Sequence, residues 1–311
     1  METRVTVTVP ATTANLGPGF DSLGLALGLY NRLEAEFRAE PGWHLEIVGA
    51  GADTLPRDET NIVVEAMQRV FERGGNPPSG VRLRLTNEIP LARGLGSSAA
   101  ARVAGLAAAN ALAQANLSEA ELLRLAAELE GHPDNVVPAV CGGFTVTAMA
   151  GSQPLYVRFD PPSGLRAVIA VPDFELPTAQ ARAALPETYS RADAVHNLSR
   201  TALVVAALAS ERLDLLRAAM EDRIHQPYRL PLIPGAEEVL AVALEAGALG
   251  VALSGAGPTL LALTAENAAA IAQAMQSTWA QHGIQCTARE VGIEKGGLRV
   301  VSTPQVEFAA L

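Results

Sequence analysis

The chain is poor in the residues that anchor several common architectures. Cys141 and Cys286 are its only cysteines in 311 residues, too few for a disulfide framework, which points to a reducing compartment. No spacing of Cys and His reads as a zinc site. Lys295 is the only lysine, so every other basic residue is an arginine. A P-loop is thereby excluded, because its Gly-x-x-x-x-Gly-Lys-Ser/Thr pattern needs a glycine directly before the lysine and Ser or Thr directly after it, whereas Lys295 lies between Glu294 and Gly296. Long apolar runs are missing too: Thr201 to Ala209 is among the longest and is flanked by Arg200, Glu211 and Arg212, too short to span a bilayer. Positive charge is in the minority, with 23 Lys+Arg against 33 Asp+Glu and a net charge of −10. That balance argues against a general nucleic-acid or anionic-membrane surface. METRVTVTVP alternates polar and apolar residues and reads as a strand rather than a signal peptide. The expectation is a soluble cytoplasmic protein with neither nucleic acid nor membrane as a partner.

What remains is ordinary globular composition, 49% hydrophobic and 18% charged, long enough for one large or two medium domains. Strands are expected at Val5–Val9, Leu45–Val48 and Val81–Leu85. A helix over Ile62–Phe71 stops at Gly74-Gly75. Ser97–Ala115 is an alanine-rich helix. Ser118 with Glu121 forms a capping box for the next, which Gly131 closes. Gly142-Gly143 leads into the strand-like FTVTAM. Gly151–Gly164, with its Gly, Pro and Ser, is the candidate linker. Beyond it come a strand over Leu165–Val171, helices over His196–Ala209, Glu211–Asp222 and Pro234–Gly247, and strands at Gly250–Leu253 and Thr259–Leu263. A helix over Glu266–His282 and a strand over Gln285–Val291 complete the pattern. Strands mixed with helices in both halves give an α+β protein of two domains, 1–155 and 156–311.

The most informative segment is Pro90-Leu91-Ala92-Arg93-Gly94-Leu95-Gly96-Ser97-Ser98-Ala99-Ala100. Glycines let a backbone approach a ligand closely, and free N–H groups at the start of a helix favour an anion. Serine hydroxyls add donors, or an oxygen for Mg²⁺. Gly94, Gly96 and Ala99 match a Rossmann fingerprint literally, yet Asn87 to Arg93 separates them from the preceding strand, where a dinucleotide turn follows at once. Pro10-Ala-Thr-Thr-Ala-Asn-Leu-Gly-Pro-Gly-Phe-Asp reads equally as a tight turn satisfied by Asn15 and Asp21 or as a rigid loop with inward polar groups. In Glu130-Gly-His-Pro-Asp-Asn, His132 and Asp134 suit acid–base work and Glu130 a metal, though singly each is more often a cap or surface group. Ser254-Gly-Ala-Gly-Pro-Thr is either a plain hairpin or a close approach of backbone to ligand.

These segments, in this order, together with PTAQAR and HQPYR, resemble the GHMP kinases, and specifically the homoserine kinases among them. The resemblance runs from Thr6 to Leu263. It implies an α+β two-domain GHMP kinase fold, with a left-handed βαβ crossover in the N-terminal domain and a ferredoxin-like C-terminal domain. It implies transfer of the ATP γ-phosphoryl group to the hydroxyl of L-homoserine for threonine biosynthesis. ATP phosphates would lie on residues 90–100, with Asn61 near the adenine and Ser98 and Glu130 holding Mg²⁺. Asn15, Asp21 and Asn135 match residues that hold homoserine, and Thr178, Arg182 and Arg229 match those around its carboxylate. A zwitterion needs an anionic acceptor and a planar cationic fork, which Asp21 and arginine supply; without the resemblance, Arg182 and Arg229 read as a solvated face. Asp134 and Asn135 are the implied catalytic residues. Asp134 stands where some relatives carry a general base, with a structural or polarising role implied here. A mevalonate-pathway kinase, a ligand sensor without turnover and a dehydrogenase are the competing readings, and homodimerisation stays open.

Overall fold

The computed structural model describes residues 3–74 and 78–304. In chain order the first domain comprises β1 (Thr3–Ala14), β2 (Leu23–Arg38), β3 (Gly42–Gly49), α1 (Ile62–Gly74), β4 (Gly80–Asn87), α2 (Ser97–Leu112), α3 (Glu119–Glu130), α4 (Val136–Cys141), β5 (Phe144–Ala150) and β6 (Gln153–Phe159). The second comprises β7 (Arg166–Pro172), α5 (Thr178–Ala183), α6 (Arg191–Ala209), α7 (Leu216–Ala219), α8 (Gln226–Arg229), α9 (Ala236–Glu245), β8 (Gly250–Leu253), β9 (Leu260–Thr264), α10 (Ala268–Gln281) and β10 (Cys286–Val291). A last strand, β11 (Arg299–Pro304), returns to the first sheet, where it pairs antiparallel with β1.

The first sheet runs β11-β1-β2-β4-β3, with β5 and β6 branching from β2. β2 organises it. Leu23, Leu25, Leu27, Leu29, Leu33, Ala35 and Phe37 recur at period two and turn one face of the strand into the core. Its length lets the start pair with β5 and the end with β4. β3, α1 and β4 form a βαβ unit whose strands lie side by side and parallel. The alanines of α2 let it pack against α1, α3, α4 and the first two strands. Gly105 sits so close to α1 that a Cβ would meet Val63 O at 2.5 Å.

The second sheet is antiparallel in the order β10-β7-β9-β8. Strand, helices, two strands, helix, strand in that spatial order is the ferredoxin-like arrangement. β7 divides its side chains by period: Ala167 and Ile169 enter the core shared with the first domain, while Val168 and Ala170 join Val239, Ile271, Met275 and Trp279 beneath α9 and α10.

Several expectations hold to within a residue or two. Ser118 caps α3 with the full capping box, and Gly131 closes it in the left-handed conformation. Of the Gly74-Gly75 stop, Gly75 lies outside the described residues. The expected linker is overturned, because residues 153–159 form β6 and complete a hairpin with β5. Its glycine and proline are hairpin features: Gly151 takes φ +62 in the turn, and Pro154 sits at the start of an edge strand, where a missing N–H breaks no sheet ladder. The helix expected over Glu211–Asp222 shrinks to a 3₁₀ turn, Leu213–Leu215, and the single turn α7. Beyond α7 the Asp222 carboxylate accepts the N–H groups of Ile224, His225 and Gln226. Among the described residues no helix is long and apolar enough to cross a membrane.

Candidate active site

One cavity collects the loop before α2, the end of α3, the β1–β2 loop, α5, α8 and the β8–β9 connection. Its floor is the glycine-rich loop. Gly94 and Gly96 have φ of +74 and +68, and a Cβ would stand 2.2 Å from Ser254 O at the first and 2.0 Å from Thr12 Oγ1 at the second. Only glycine fits there. The loop's carbonyls are held from outside. Thr12 N–H donates to Leu95 O at 3.1 Å, Leu176 N–H to Ala92 O and Thr259 N–H to Arg93 O at 3.3 Å. Ser254 Oγ donates to Gly94 O at 2.6 Å. Arg93 reaches across to the second sheet and donates to Pro172 O and Asp173 O, each at 3.0 Å. At the N-cap of α2, Gly96 brings no side-chain cap, so the first N–H groups of a 16-residue helix are left for a ligand. That is an anion cradle made of backbone.

Beside it, Ser98 in the first turn of α2 meets Glu130, the last residue of α3. The hydroxyl lies 2.8 and 2.5 Å from the two carboxylate oxygens. These are hard oxygen donors of the kind Mg²⁺ takes, and that ion commonly uses one or two protein groups and completes its shell with phosphate and water. Among the described residues no cluster of three or more His, Cys, Asp or Glu offers a richer metal site. Arg102, one helical turn beyond Ser98, donates to Ser98 Oγ at 3.1 Å and bonds Glu130 Oε2.

Across the cavity stands a charged cluster. Asp21 receives a two-pronged ion pair from Arg182 at 2.8 and 3.1 Å; the pair holds the guanidinium pKa above its usual value, against a smaller opposing effect of burial. Arg229 is 2% exposed and donates only to carbonyls and a ring nitrogen: Nε to Ala181 O and Nη1 to Gly255 O, each at 3.2 Å. Burial first, and the Arg182 charge second, lower its pKa, yet a guanidinium remains charged in water. Phe20 lies against both cations, its ring centre 5.5 Å from Arg182 and 5.1 Å from Arg229. A buried cation that forms no ion pair with a carboxylate among the described residues, next to a second cation, is a site built for an anion from outside.

Asn15 spends its amide on loop geometry, with Nδ2 donating to Gly255 O at 2.9 Å and Oδ1 accepting from Asp21 N–H at 3.0 Å. Asn135 Oδ1 accepts from Thr12 Oγ1 at 2.8 Å. Asp134 is buried, and its Oδ1 lies 2.6 Å from His132 Nδ1. Burial disfavours the charged imidazole, but the Asp134 bond and charge and the Glu130 charge outweigh it and raise the His132 pKa. Thr178 opens α5 at the cavity wall.

Not every expected residue reaches this cavity. Ala92 to Ser98, Glu130, Asp134, Asn135, Asn15, Asp21, Thr178, Arg182 and Arg229 line it; Asn61, Pro90, Leu91, Ala99 and Ala100 do not. Asn61 precedes α1 with its Oδ1 accepting from Val63 N–H at 3.0 Å and its Nδ2 donating to Pro56 O at 2.8 Å. Pro90 borders a second cavity with Leu29 and Cys286, and Ala99 and Ala100 are buried in the core. Arg102 and Phe20 were not expected at the site, and neither follows a motif spacing that would have singled it out.

Comparison with known proteins agrees with this geometry. The GHMP kinases N terminal domain matches residues 61–143 and the GHMP kinases C terminal domain residues 204–281. The homoserine kinase of Moorella thermoacetica is 48% identical over 92% of this chain and 96% of its own. That of Deinococcus radiodurans is 52% identical over 82% of this chain and 83% of its own. The crystal structure of homoserine kinase from Cytophaga hutchinsonii superposes with a TM-score of 0.88 at 33% identity, covering 96% of this chain and 97% of that one.

Proposed function

Because this chain belongs to the homoserine kinase family of the GHMP kinases, we propose that it transfers the γ-phosphoryl group of ATP to the side-chain hydroxyl of L-homoserine, giving O-phospho-L-homoserine for threonine biosynthesis. One observation carries the reading to the residues. An uncapped helix N-terminus and a pair of arginines, one buried with no carboxylate ion pair among the described residues, face the same cavity.

Phosphoryl transfer leaves a protein mainly positioning and electrostatic work. The loop Gly94–Ser98 cradles the phosphates with backbone N–H groups. Ser98 and Glu130 would hold Mg²⁺, which would supply neutralisation of the phosphate charge. Arg182 and Arg229 take the substrate carboxylate and Asp21 its ammonium, while Asn15 and Asn135 shape the walls and Thr178 borders the carboxylate end. The hydroxyl oxygen then lies toward the phosphates; its new bond to the γ-phosphorus forms as the bond to the ADP oxygen breaks, and the hydroxyl proton passes to an oxygen of the transferred phosphoryl group and on to water. Asp134 keeps an oxygen on His132 Nδ1 at 2.6 Å, which supports a polarising role for it rather than that of a free base. Asn61, already occupied as a helix cap, contributes to the adenine side through its loop. The boundary expected at 155/156 would cut β6, so the nucleotide domain runs through Phe159 and takes back β11, with β7 to β10 and their helices as its companion.

An ADP-release assay over homoserine, mevalonate, galactose and serine tests the reading. Release dependent on homoserine and Mg²⁺ is expected; release with mevalonate or galactose but not homoserine overturns it.

A further inference from the structure

His225 is wholly buried and precedes α8, four residues from Arg229 and so on the same side of the helical turn. Its Nε2 lies 2.7 Å from Gly17 O. A carbonyl can only accept, so Nε2 carries the hydrogen, and the Nδ1 of the neutral ring is a lone pair. That lone pair faces Arg229 Nη1 at 3.4 Å. The ring is clamped further by Phe20, stacked at 5.4 Å with 28° between the planes. Asp222 holds its backbone by accepting the N–H groups of His225 and Gln226 at 2.9 and 2.6 Å.

We propose that His225 is a positioning residue for Arg229: the Gly17 carbonyl locks its tautomer, and its Nδ1 lone pair aims the guanidinium at the carboxylate of an amino-acid substrate. The proposal rests on the reading of Arg229 given above. The other bonds of Arg229 run from Nε to Ala181 O and from Nη1 to Gly255 O, so His225 Nδ1 takes the second hydrogen of Nη1 and leaves Nη2 for a ligand. Burial keeps the imidazole uncharged, against the opposing pull of the Asp222 charge and alongside the Arg229 charge. An imidazolium would set an N–H against the guanidinium instead of a lone pair.

Two substitutions separate aiming from scaffolding. In His225→Asn the amide oxygen replaces Nδ1 and the bond to Gly17 is lost; in His225→Gln the amide nitrogen replaces Nε2 and the acceptor for Arg229 is lost. With wild-type homoserine-dependent ADP release measured first, H225Q should raise the homoserine KM about tenfold, as for losing a hydrogen bond to a charged group. H225N should raise it far less, and both should leave the KM for ATP unchanged. A larger loss in H225N, equal losses, or a parallel rise in the KM for ATP overturns the proposal and leaves His225 a support for the Gly17 loop. Nitrogen-15 NMR of the wild-type histidines gives a readout independent of whether the variants fold. The Nε2–H tautomer with an Nδ1 resonance that moves on adding homoserine is expected, and an Nδ1–H tautomer, or an Nδ1 indifferent to homoserine, refutes the role. If homoserine supports no ADP release by the wild type while the tautomer is as stated, the substrate reading fails and not the geometry.

Discussion

Asp21→Asn puts the substrate-binding argument under the most direct strain. Asp21 and Arg182 bind each other, with side chains 35% and 39% exposed. A zwitterionic substrate has to separate them, giving its ammonium to Asp21 and its carboxylate to the arginines. The resident pair is solvent-screened and contributes only about 0.2–1 kcal/mol. The ammonium's charged hydrogen bond contributes about 1.5–3 kcal/mol. Removing the Asp21 charge while keeping its shape should therefore weaken homoserine by about 0.5–2.8 kcal/mol, roughly 2- to 110-fold in KM. For 4-hydroxybutanoate, which has the carboxylate and hydroxyl but no amine, the sign reverses. The wild type must break the pair and gets nothing back at Asp21, whereas the variant has less to break, so affinity should rise by up to about fivefold. A coupled ADP-release assay on both compounds, with a thermal melt as folding control, reads the selectivity directly. An equal loss for both would show that the Asp21 side chain serves the site only by holding Arg182. An unchanged homoserine KM would put the ammonium elsewhere.

The metal pair makes a second test: Ser98→Ala and Glu130→Ala should each raise the Mg²⁺ concentration needed for half-maximal rate, and unchanged kinetics at limiting magnesium would remove them from the metal site. Gly96→Ala demands φ +68 of an alanine and drives its Cβ to 2.0 Å from Thr12 Oγ1, so we expect a cost of about 1–3 kcal/mol in stability and a raised KM for ATP; a melting temperature equal to wild type would show that the loop is not clamped as described. His132 has a folded-state pKa raised above its ordinary value, through Asp134 and in spite of burial. Its contribution to stability is then complete below pH about 6.5 and is lost as pH rises through the elevated value. The melting-temperature gap between wild type and His132→Asn should accordingly be wider at acid than at alkaline pH, and a gap that widens with rising pH would contradict the pairing.

Local signals were legible wherever the chemistry was local. Ser118 and Glu121 announce their capping box and Gly131 its closure, because every participant lies within one helix. β2 carries an equally local signal, leucines at every second position from Leu23 to Leu29, but Gly24 and Gly28 between them weaken the strand pattern, and no element was expected there. Those glycines are there because neighbours crowd the strand: a Cβ at Gly24 would meet Asp134 O at 2.1 Å. β6 was hidden in the same way by Gly151 and Pro154. Asn61, expected only near the adenine, caps α1 with its Oδ1 accepting from Val63 N–H; an Asn before an apolar run was a local signal left unread. The site was legible only through its motifs. His225 bonds Gly17 from 208 positions away and Asn15 bonds Gly255 across 240, separations at which no periodicity survives.

Those separations explain why the cradle and the amino-acid clamp occur together. Backbone N–H groups stay free for a phosphate only if their own peptide units are held rigid by other means, since a buried loop must satisfy its polar groups somewhere. Here the holding is done through the carbonyls. Leu95 O is taken by β1 of the first sheet; Ala92, Arg93 and Gly94 offer theirs to Leu176, Thr259 and Ser254 of the second domain. The β8–β9 connection that supplies Ser254 also supplies Gly255 O, the acceptor shared by Asn15 and Arg229. A shift of that connection would therefore loosen the phosphate loop and the carboxylate clamp in one movement, so neither half of the site can be rigid unless the two domains are docked.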